Sequence, residues 1–219
     1  MPNEEFLDFG DIDIKPKYKD KYKGIAGEKH RISIVWPKED GGPFVMGKTH
    51  YQDKYFHCKS GVCCEKLGPA KTRLACLVVK YKTLKDGSLK KNEVAEGSTD
   101  LPFDYEVMEW VFTETKYNSL KTLHNEWNLK EHDIMVSLKG TEQFQDLEFT
   151  PCKESVWQMK PEFKELIFAD SEAIRPNLKR SLGQELTTDE IKELLGLEVA
   201  QPTDVIQNEE ELNDILAEV

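Results

Sequence analysis

Hydrophobic and polar residues alternate along most of the chain as far as about residue 150, which is the pattern of half-buried strands. The clearest case is residues 72–83, where an apolar run from Leu74 to Val79 predicts a long strand with a buried centre. Gly and Pro residues at 41–43 mark a turn between strands. The predicted strands are residues 30–36, 44–57 (a hairpin or two short strands), 72–83, 105–114, 133–139 and 145–150, with a weaker signal at 155–159.

Three stretches have the three- to four-residue spacing of an amphipathic helix instead. Residues 116–129 interrupt the strands, and Pro161 begins a second helix that extends to about Ala173. Thr187 and Glu190 resemble a capping box ahead of a third, shorter apolar repeat. The apolar side chains that define the three faces are Tyr117, Leu120, Leu123 and Trp127; Phe163, Leu166 and Ile167; and Ile191, Leu194 and Leu195.

Several short strands, one inserted helix and few signals of parallel crossovers favour a mainly β (α+β) fold built on an antiparallel barrel. A five-stranded oligonucleotide-binding (OB) barrel with accessory helices fits the length of the chain. We predict a flexible N-terminal arm at residues 1–24 and a core at 25–180. Within the core, residues 44–70 form a small cysteine-bearing subdomain, and residues 181–219 form an acidic, disordered C-terminal tail.

Composition restricts the class of protein. The chain has 219 residues, of which 38% are hydrophobic and 32% charged, and no apolar run approaches the roughly 18 residues of a membrane span. The N-terminus lacks a basic stretch followed by an apolar core, so we expect no secretory signal. Five cysteines, clustered and odd in number, favour metal binding or free thiols over disulfides. These features predict a cytoplasmic, reducing location.

The net charge of −11 conceals a strong asymmetry along the chain. Residues 181–219 contain eleven acids and one base, Lys192. Residues 15–91 contain 19 Lys and Arg against 7 Asp and Glu, a net of +12. Because salt limits each charge to about 10 Å, a phosphate backbone responds to the local balance and not to the total. The basic half of the chain therefore predicts a nucleic-acid partner.

Soft ligands for a metal are concentrated within the basic segment, between residues 50 and 76. A tetrahedral zinc site needs about four of them, and Cys76 lies in the apolar strand, where a buried thiol is ordinary. His57 and Cys58 are neighbours on a predicted strand, so they should face opposite ways. We prefer one structural zinc ion, with His57 as the alternative ligand, over a group of unrelated thiols. The preferred ligands are His50, Cys58, Cys63 and Cys64.

The order of motifs resembles one family, the zinc-containing, helix-destabilising single-stranded-DNA-binding proteins of T-even-type bacteriophages. The resemblance rests on Trp36-Pro37, Pro43-Phe44-Val45, Tyr55-Phe56-His57-Cys58, Lys71-Thr72, the segments 75–80 and 107–112, and Leu212-Asn213-Asp214-Ile215-Leu216. It implies an OB fold with an embedded zinc subdomain and cooperative binding to single strands. It also implies a C-terminal tail that contacts replication proteins in a bacterial host cell. In that family two residues separate the paired cysteines, whereas Cys63 and Cys64 are adjacent here.

Single strands are held by a cationic groove along the phosphates and by aromatic faces that stack on bases. Basic and aromatic residues near the cysteine-bearing subdomain and on the central strands suit this role, although each aromatic could equally belong to the core. The candidates are Arg31, Lys48, Tyr51, Lys54, Tyr55, Lys71, Arg73, Lys80, Tyr81, Lys82, Trp110 and Phe112. In the tail, Leu212, Asp214, Ile215 and Leu216 are the candidates for partner binding.

The sequence therefore predicts a protein that binds single-stranded DNA without sequence preference during phage DNA replication, recombination and repair. The acidic tail would compete with DNA for the groove, or else serve only to keep the protein soluble. The alternative is a zinc-stabilised protein-interaction or transcription/recombination accessory factor that binds no strand itself. An enzyme is disfavoured, because the chain has no phosphate-cradling glycine loop, nucleophile elbow or His-Glu-x-x-His motif.

Overall fold

The computed structural model describes residues 21–25, 27–37, 41–93, 102–141, 144–153, 155–156 and 163–197. Most of the predicted arm and the tail beyond Leu197, including all four partner-binding candidates, lie outside these residues. Among the described helices, none is long and apolar enough to cross a membrane.

The described residues form seven strands and five α-helices; the strands lie close to the predicted segments, whereas the helices at residues 62–67 and 178–182 were not predicted. Of the weak strand signal at 155–159, only Ser155 and Val156 are described, and neither is in a strand. The strands are β1 Lys29–Ile34, β2 Val45–Gln52, β3 Lys54–His57, β4 Lys71–Tyr81, β5 Tyr105–Thr113, β6 Ile134–Thr141 and β7 Phe144–Pro151. The helices are α1 Val62–Leu67, α2 Glu114–Trp127, α3 Phe163–Glu172, α4 Leu178–Leu182 and α5 Thr188–Leu194, with a 3₁₀ turn at Arg175–Asn177.

All seven strands belong to one antiparallel sheet, and β4 is its centre. The sheet has the order β3-β2-β4-β1-β6-β7, and β5 pairs with the other edge of β4. β1 and β2 share one edge of β4, because β2 pairs with its first half and β1 with its second. The central residues of β4, from Leu74 to Val79, are all buried, as the apolar run predicted.

The sheet is not closed, which corrects the predicted barrel. Among the described residues β5 pairs only with β4, and β7 only with β6. Helix α2 follows β5 without a loop and packs toward β7, where Lys116 forms an ion pair with Asp146. Leu123 lies near Leu147 and Phe149 in one apolar cluster. Helix α2 therefore covers the apolar face of the sheet between β5 and β7, two strands that would pair directly in a closed barrel.

Two apolar cores lie on opposite faces of β4, because successive side chains of a strand point to opposite sides. Leu74, Cys76 and Val78 pack with Trp110, α2 and the other residues of the first core. Ala75, Leu77 and Val79 pack under α3 and α4 in the second. At about 25 cal/mol per Å² of buried apolar surface, this burial on both faces stabilises β4 strongly.

Several residues from the predicted flexible segments belong to the folded core, which corrects both boundaries. Tyr22, inside the predicted arm of residues 1–24, is 3% exposed and packs edge-on against Trp110 at 5.5 Å between ring centroids. Its backbone N–H donates to Glu109 at 2.8 Å. The predicted tail from residue 181 begins with the end of α4 and with α5, whose capping box at Thr187 is formed.

The buried carboxylate of Asp133, just before β6, joins β1 to the segment that follows β7. Asp133 is fully buried and accepts hydrogen bonds from Arg31 Nε at 2.8 Å and from Val156 N at 3.1 Å. It also accepts from the hydroxyls of Ser33 and Ser155. A buried charge with this many donors holds the segments at fixed positions, because losing any donor would leave the charge undercompensated.

Replacing Asp133 by Asn should destabilise the protein strongly. The amide cannot pair with the Arg31 cation, and breaking a buried ion pair costs about 3–5 kcal/mol. Urea unfolding followed by tryptophan fluorescence measures the loss. The control is Asp104→Asn, which removes an exposed carboxylate that contacts Lys82 and Asn92. Comparable shifts for both variants would mean that the Asp133 network is not a major source of stability.

Candidate metal centre and basic cleft

The metal ligands are presented by a tight hairpin and the short helix that follows it. β2 and β3 are joined at Asp53, which takes a positive φ of 57° that Asp tolerates better than most residues. The register places His50 opposite Phe56, so that both lie on the same face of the hairpin. Cys58 follows β3, and a turn with positive φ at Ser60 and Gly61 leads into α1. We name residues 58–67 the knuckle.

Four side chains from these elements converge, and they are the preferred ligands of the sequence analysis. The ligand atoms of His50, Cys58, Cys63 and Cys64 all lie within 4.8 Å of one another. Cys58 Sγ is 3.6 Å from Cys63 Sγ and 3.4 Å from Cys64 Sγ, and Cys64 Sγ is 3.6 Å from His50 Nε2. All five cysteines of the chain are free thiols. The predicted convergence is confirmed.

The geometry and chemistry of this cluster fit a tetrahedral metal ion. With metal–sulfur bonds of about 2.3 Å, the edges of the ligand tetrahedron are about 3.8 Å, close to the separations found. Burial lowers the pKa of His50, so its imidazole is neutral and able to coordinate near neutral pH. The backbone N–H of Ser60 lies 3.2 Å from Cys58 Sγ, a contact that would stabilise a thiolate.

His57, the alternative ligand, is on the other face of the hairpin. Its Nε2 donates to the carbonyl of Lys179 at 3.1 Å, next to Glu185. The two-residue period of a strand separates His57 from His50 and Phe56. Cys76 is fully buried in β4, and burial raises the pKa of its thiol, so it is a core residue as predicted.

A cleft of about 790 Å³ opens on the face of the hairpin opposite the metal cluster. One wall is the hairpin and the adjoining ends of β4 and β5, and the other is the segment from Asn177 to Leu186. The side chains that line it include Lys21, Tyr55, Arg73, Glu109, Arg180, Gln184 and Glu185.

Two tyrosines and an arginine form an exposed aromatic and cationic surface beside this cleft. Tyr51 and Tyr55 are paired across the hairpin with ring centroids 4.9 Å apart, and they are 61% and 44% exposed. The Arg73 guanidinium lies over the Tyr55 ring, 3.6 Å from its centroid. Arg73 Nη1 also donates to the carbonyl of Leu182 at 2.6 Å. The cation is thereby held in place while one tyrosine face stays open.

An acidic residue at the base of the cleft moderates its positive charge. Glu109 is 8% exposed, and burial raises the pKa of its carboxyl group, while nearby Lys21 opposes that shift. Burial in turn lowers the pKa of Lys21, whose ammonium donates to the Ser181 carbonyl at 2.9 Å. The charged side chains that line the cleft are therefore three cations and two carboxylates: Lys21, Arg73, Arg180, Glu109 and Glu185.

The structure brings some of the predicted nucleic-acid residues together. Tyr51, Tyr55, Lys71 and Arg73 share the cleft face of the hairpin and β4, as the pairing register requires. Lys48 and Lys54 are exposed on the opposite face, beside the metal cluster. Lys80 and Lys82 are at the far end of β4, where Lys82 pairs with Asp104.

Four predicted contacts are corrected by burial or pairing. Trp110 and Phe112 are 2% and 6% exposed within the first core, so neither ring can stack on a base. Tyr81 is 1% exposed, and its hydroxyl bonds to Ser33 at 2.8 Å. Arg31 is held by Asp133 at 2.7 Å. Strand parity grouped Trp110 with Phe112 correctly, but both faces of the central strands are covered.

Three cations and a polar residue of the cleft region were absent from the sequence-based set. Lys21 belongs to the alternating lysines of residues 15–23, a signal that could have identified it. Lys179 and Arg180 lie within α4 and Gln184 comes just after it, and nothing local in the sequence marks them as neighbours of the hairpin.

Comparison of the chain with protein-family models, curated proteins and solved structures finds no match. The resemblance to the phage proteins therefore stays a prediction.

Metal binding should depend on His50 and not on His57. We expect the purified protein to hold one metal ion per chain. His50→Gln should weaken metal binding by at least about 10–100-fold, the loss that follows from removing even an outer-shell partner. His57→Gln is the matched control on the same hairpin. Metal content by mass spectrometry and competition with a chromophoric chelator measure the effect; equal losses in both variants would contradict the assignment.

Proposed function

We propose that the four-ligand cluster holds one structural zinc ion and that the adjoining cleft binds single-stranded DNA without sequence preference. The observation that carries the proposal is the open tyrosine pair with Arg73 fixed beside it, at the mouth of a cleft lined by further cations. Aromatic faces and cations in one groove are what single strands require. The protein would act by binding and not by catalysis.

Zinc is the ion that suits the cluster best. Three thiolates and one imidazole are soft and borderline ligands, which disfavour magnesium and calcium. A set of four protein ligands fills a tetrahedral site and leaves no position for a substrate, which is typical of structural zinc. The ion would fix the β2–β3 hairpin and α1, and through them the exposed tyrosines.

The topology supports an OB-type arrangement, which we propose as the finer description of the fold. β1, β4, β5, β6 and β7 give five antiparallel strands, with α2 between the third and the fourth. OB folds are partly open five-stranded barrels that bind oligonucleotides on strands two and three and on the loop between strands one and two. Here Arg73 is on the second strand, and the metal hairpin is inserted in that loop.

The contacts available in the cleft favour a single strand over a duplex. Tyr51 and Tyr55 offer ring faces, which need unpaired bases, while Lys71, Arg73 and Arg180 can contact phosphates. No base edge need be read, because every base has a face that can stack. We extend the proposal to a role in phage DNA replication, recombination and repair. The tail residues Leu212, Asp214, Ile215 and Leu216 would recruit protein partners in the host cytoplasm.

Tyr55→Ala should weaken binding to poly-dT by about 5- to 150-fold, corresponding to the roughly 1–3 kcal/mol of one stacked base. The control is Trp127→Ala, which removes another exposed aromatic, 41% exposed, at the end of α2 on the opposite face of the sheet. Fluorescence anisotropy with labelled poly-dT and an equivalent duplex measures both. A protein that holds its metal but shows no preference for single strands would instead support the accessory-factor alternative.

Each side chain that contacts a phosphate should add a fixed increment to the salt dependence of strand binding. Lys71→Ala should reduce the slope of log affinity against log salt by about 0.7, the contribution of one phosphate on a single strand. Lys121→Ala removes an exposed lysine from α2 and should leave the slope unchanged. Titrations at four salt concentrations measure the slopes. Identical slopes for the two variants would remove Lys71 from the interface.

Glu109→Gln should tighten strand binding about fivefold. The change removes a negative charge from the cleft and releases Lys21 from its carboxylate neighbour, and a unit-charge interaction across about 4 Å of water is worth about 1 kcal/mol. The same poly-dT titration measures the gain at pH 7, where the variant's cleft is more positive. Unchanged or weaker binding would show that DNA does not approach this part of the cleft.

A further inference from the structure

The chain passes around the β2–β3 hairpin from one face to the other between Leu178 and Leu194. We name residues 178–194 the clasp. On the cleft face, α4 approaches so closely that a Cβ on Gly47 would lie 3.1 Å from Leu182 Cδ1. On the metal face, α5 packs against the knuckle. The clasp therefore contacts both the metal cluster and the cleft.

Between its two helices the clasp bonds to the exposed edge of β3. The backbone N–H of Gln184 donates to the Tyr55 carbonyl, and the Gln184 carbonyl accepts from the His57 N–H, both at 2.9 Å. Gly183 is required for this approach, because a Cβ there would lie 3.0 Å from the backbone of Phe56. These bonds tie the edge of the hairpin that carries Tyr55 directly to the wall of the cleft.

α5 packs directly on the side chains that form the metal cluster. Ile191 is 1% exposed and forms a small apolar cluster with Phe56 and Cys63, against which Cys58 and Cys64 pack. This cluster is separate from the two main cores. Its packing depends on the position of the cysteines, which a bound metal would fix.

Polar contacts secure the cleft side of the same segment. Glu185 lies 3.4 Å from Lys59 Nζ and 3.3 Å from Lys179 Nζ, and so joins the knuckle to the end of α4. The His57 imidazole donates to the Lys179 carbonyl. Arg180, Gln184 and Leu186, which line the cleft, are thus held by contacts to the hairpin on either side.

We propose that the clasp couples metal occupancy to the shape of the cleft. The bound metal fixes the knuckle on which α5 packs, α5 and Gln184 hold residues 180–186 in place, and these residues form the second wall of the cleft. Loss of the metal releases this wall and weakens binding in the cleft. The effect on DNA rests on the proposed function, whereas the link between the clasp and the metal does not.

Gln184→Pro tests the link, because proline removes the N–H that bonds to Tyr55 and keeps the carbonyl that bonds to His57. The extended backbone of Gly183 is compatible with a following proline. Gln184→Ala keeps both backbone bonds and is the matched control. We expect Gln184→Pro to release metal to excess chelator about 2- to 10-fold faster, the effect of losing one net hydrogen bond. Gln184→Ala should release metal at the wild-type rate, because both backbone bonds remain.

The second pair of variants is in α5, in case proline perturbs the fold more widely. Ile191→Ala removes the apolar contact with the knuckle, and Glu193→Ala changes an exposed position of the same helix. Ile191→Ala should also release metal faster, and Glu193→Ala should not. In the wild type, chelation should raise amide exchange across residues 184–194 and leave Leu74–Val79 in β4 protected.

Strand affinity, measured on the same samples, separates the two proposals. Faster metal release in Gln184→Pro and Ile191→Ala together with weaker poly-dT binding supports the coupling. Faster release in a protein that never binds poly-dT keeps the link to the metal and refutes the proposed function. Normal release rates in both variants, or amide exchange in the clasp that chelation leaves unchanged, overturn the clasp even if poly-dT is bound tightly.

Discussion

The alternation of side chains across the β2–β3 hairpin determines the arrangement of everything near the candidate site. His50 and Phe56 point to one face and Tyr51 and Tyr55 to the other, because successive residues of a strand alternate. A shift of one residue in the pairing would exchange the two faces and separate His50 from the cysteines. The hairpin can therefore hold a metal ion on one side and present aromatic rings on the other.

This hairpin has little apolar core of its own, so its position depends on its neighbours. β2 pairs with β4, which is fixed by burial on both faces, and β3 is an edge strand whose outer side bonds to Gln184. The cluster of Phe56, Cys63 and Ile191 is small. Small units of this kind commonly need a metal ion to stay folded. The rigidity of the cleft wall and that of the metal centre are consequently linked.

The cleft combines features that favour phosphate with features that limit it. Arg73 is held by the Tyr55 ring and the Leu182 carbonyl, so little conformational entropy is lost when it contacts a ligand. Glu109 and Glu185 reduce the positive potential close to the cations. Under the proposed function, a groove with moderate charge and open aromatic faces would hold a single strand through stacking as much as through electrostatics.

The sequence by itself determined the strands, the helix between β5 and β6 and the segment that supplies the converging ligands, because each depends on spacing within a short stretch. Strand parity showed that only one of His57 and Cys58 could face the cluster, and the structure showed that it is Cys58. Tertiary structure alone decided that Trp110, Phe112 and Tyr81 are buried, since parity groups side chains but does not say which faces other elements cover. It also decided that α2 lies where a barrel would close, and that residues 178–194 encircle the hairpin. These features depend on contacts between distant parts of the chain, such as Tyr22 with Trp110, Lys116 with Asp146 and Tyr55 with Gln184, and no local pattern encodes them.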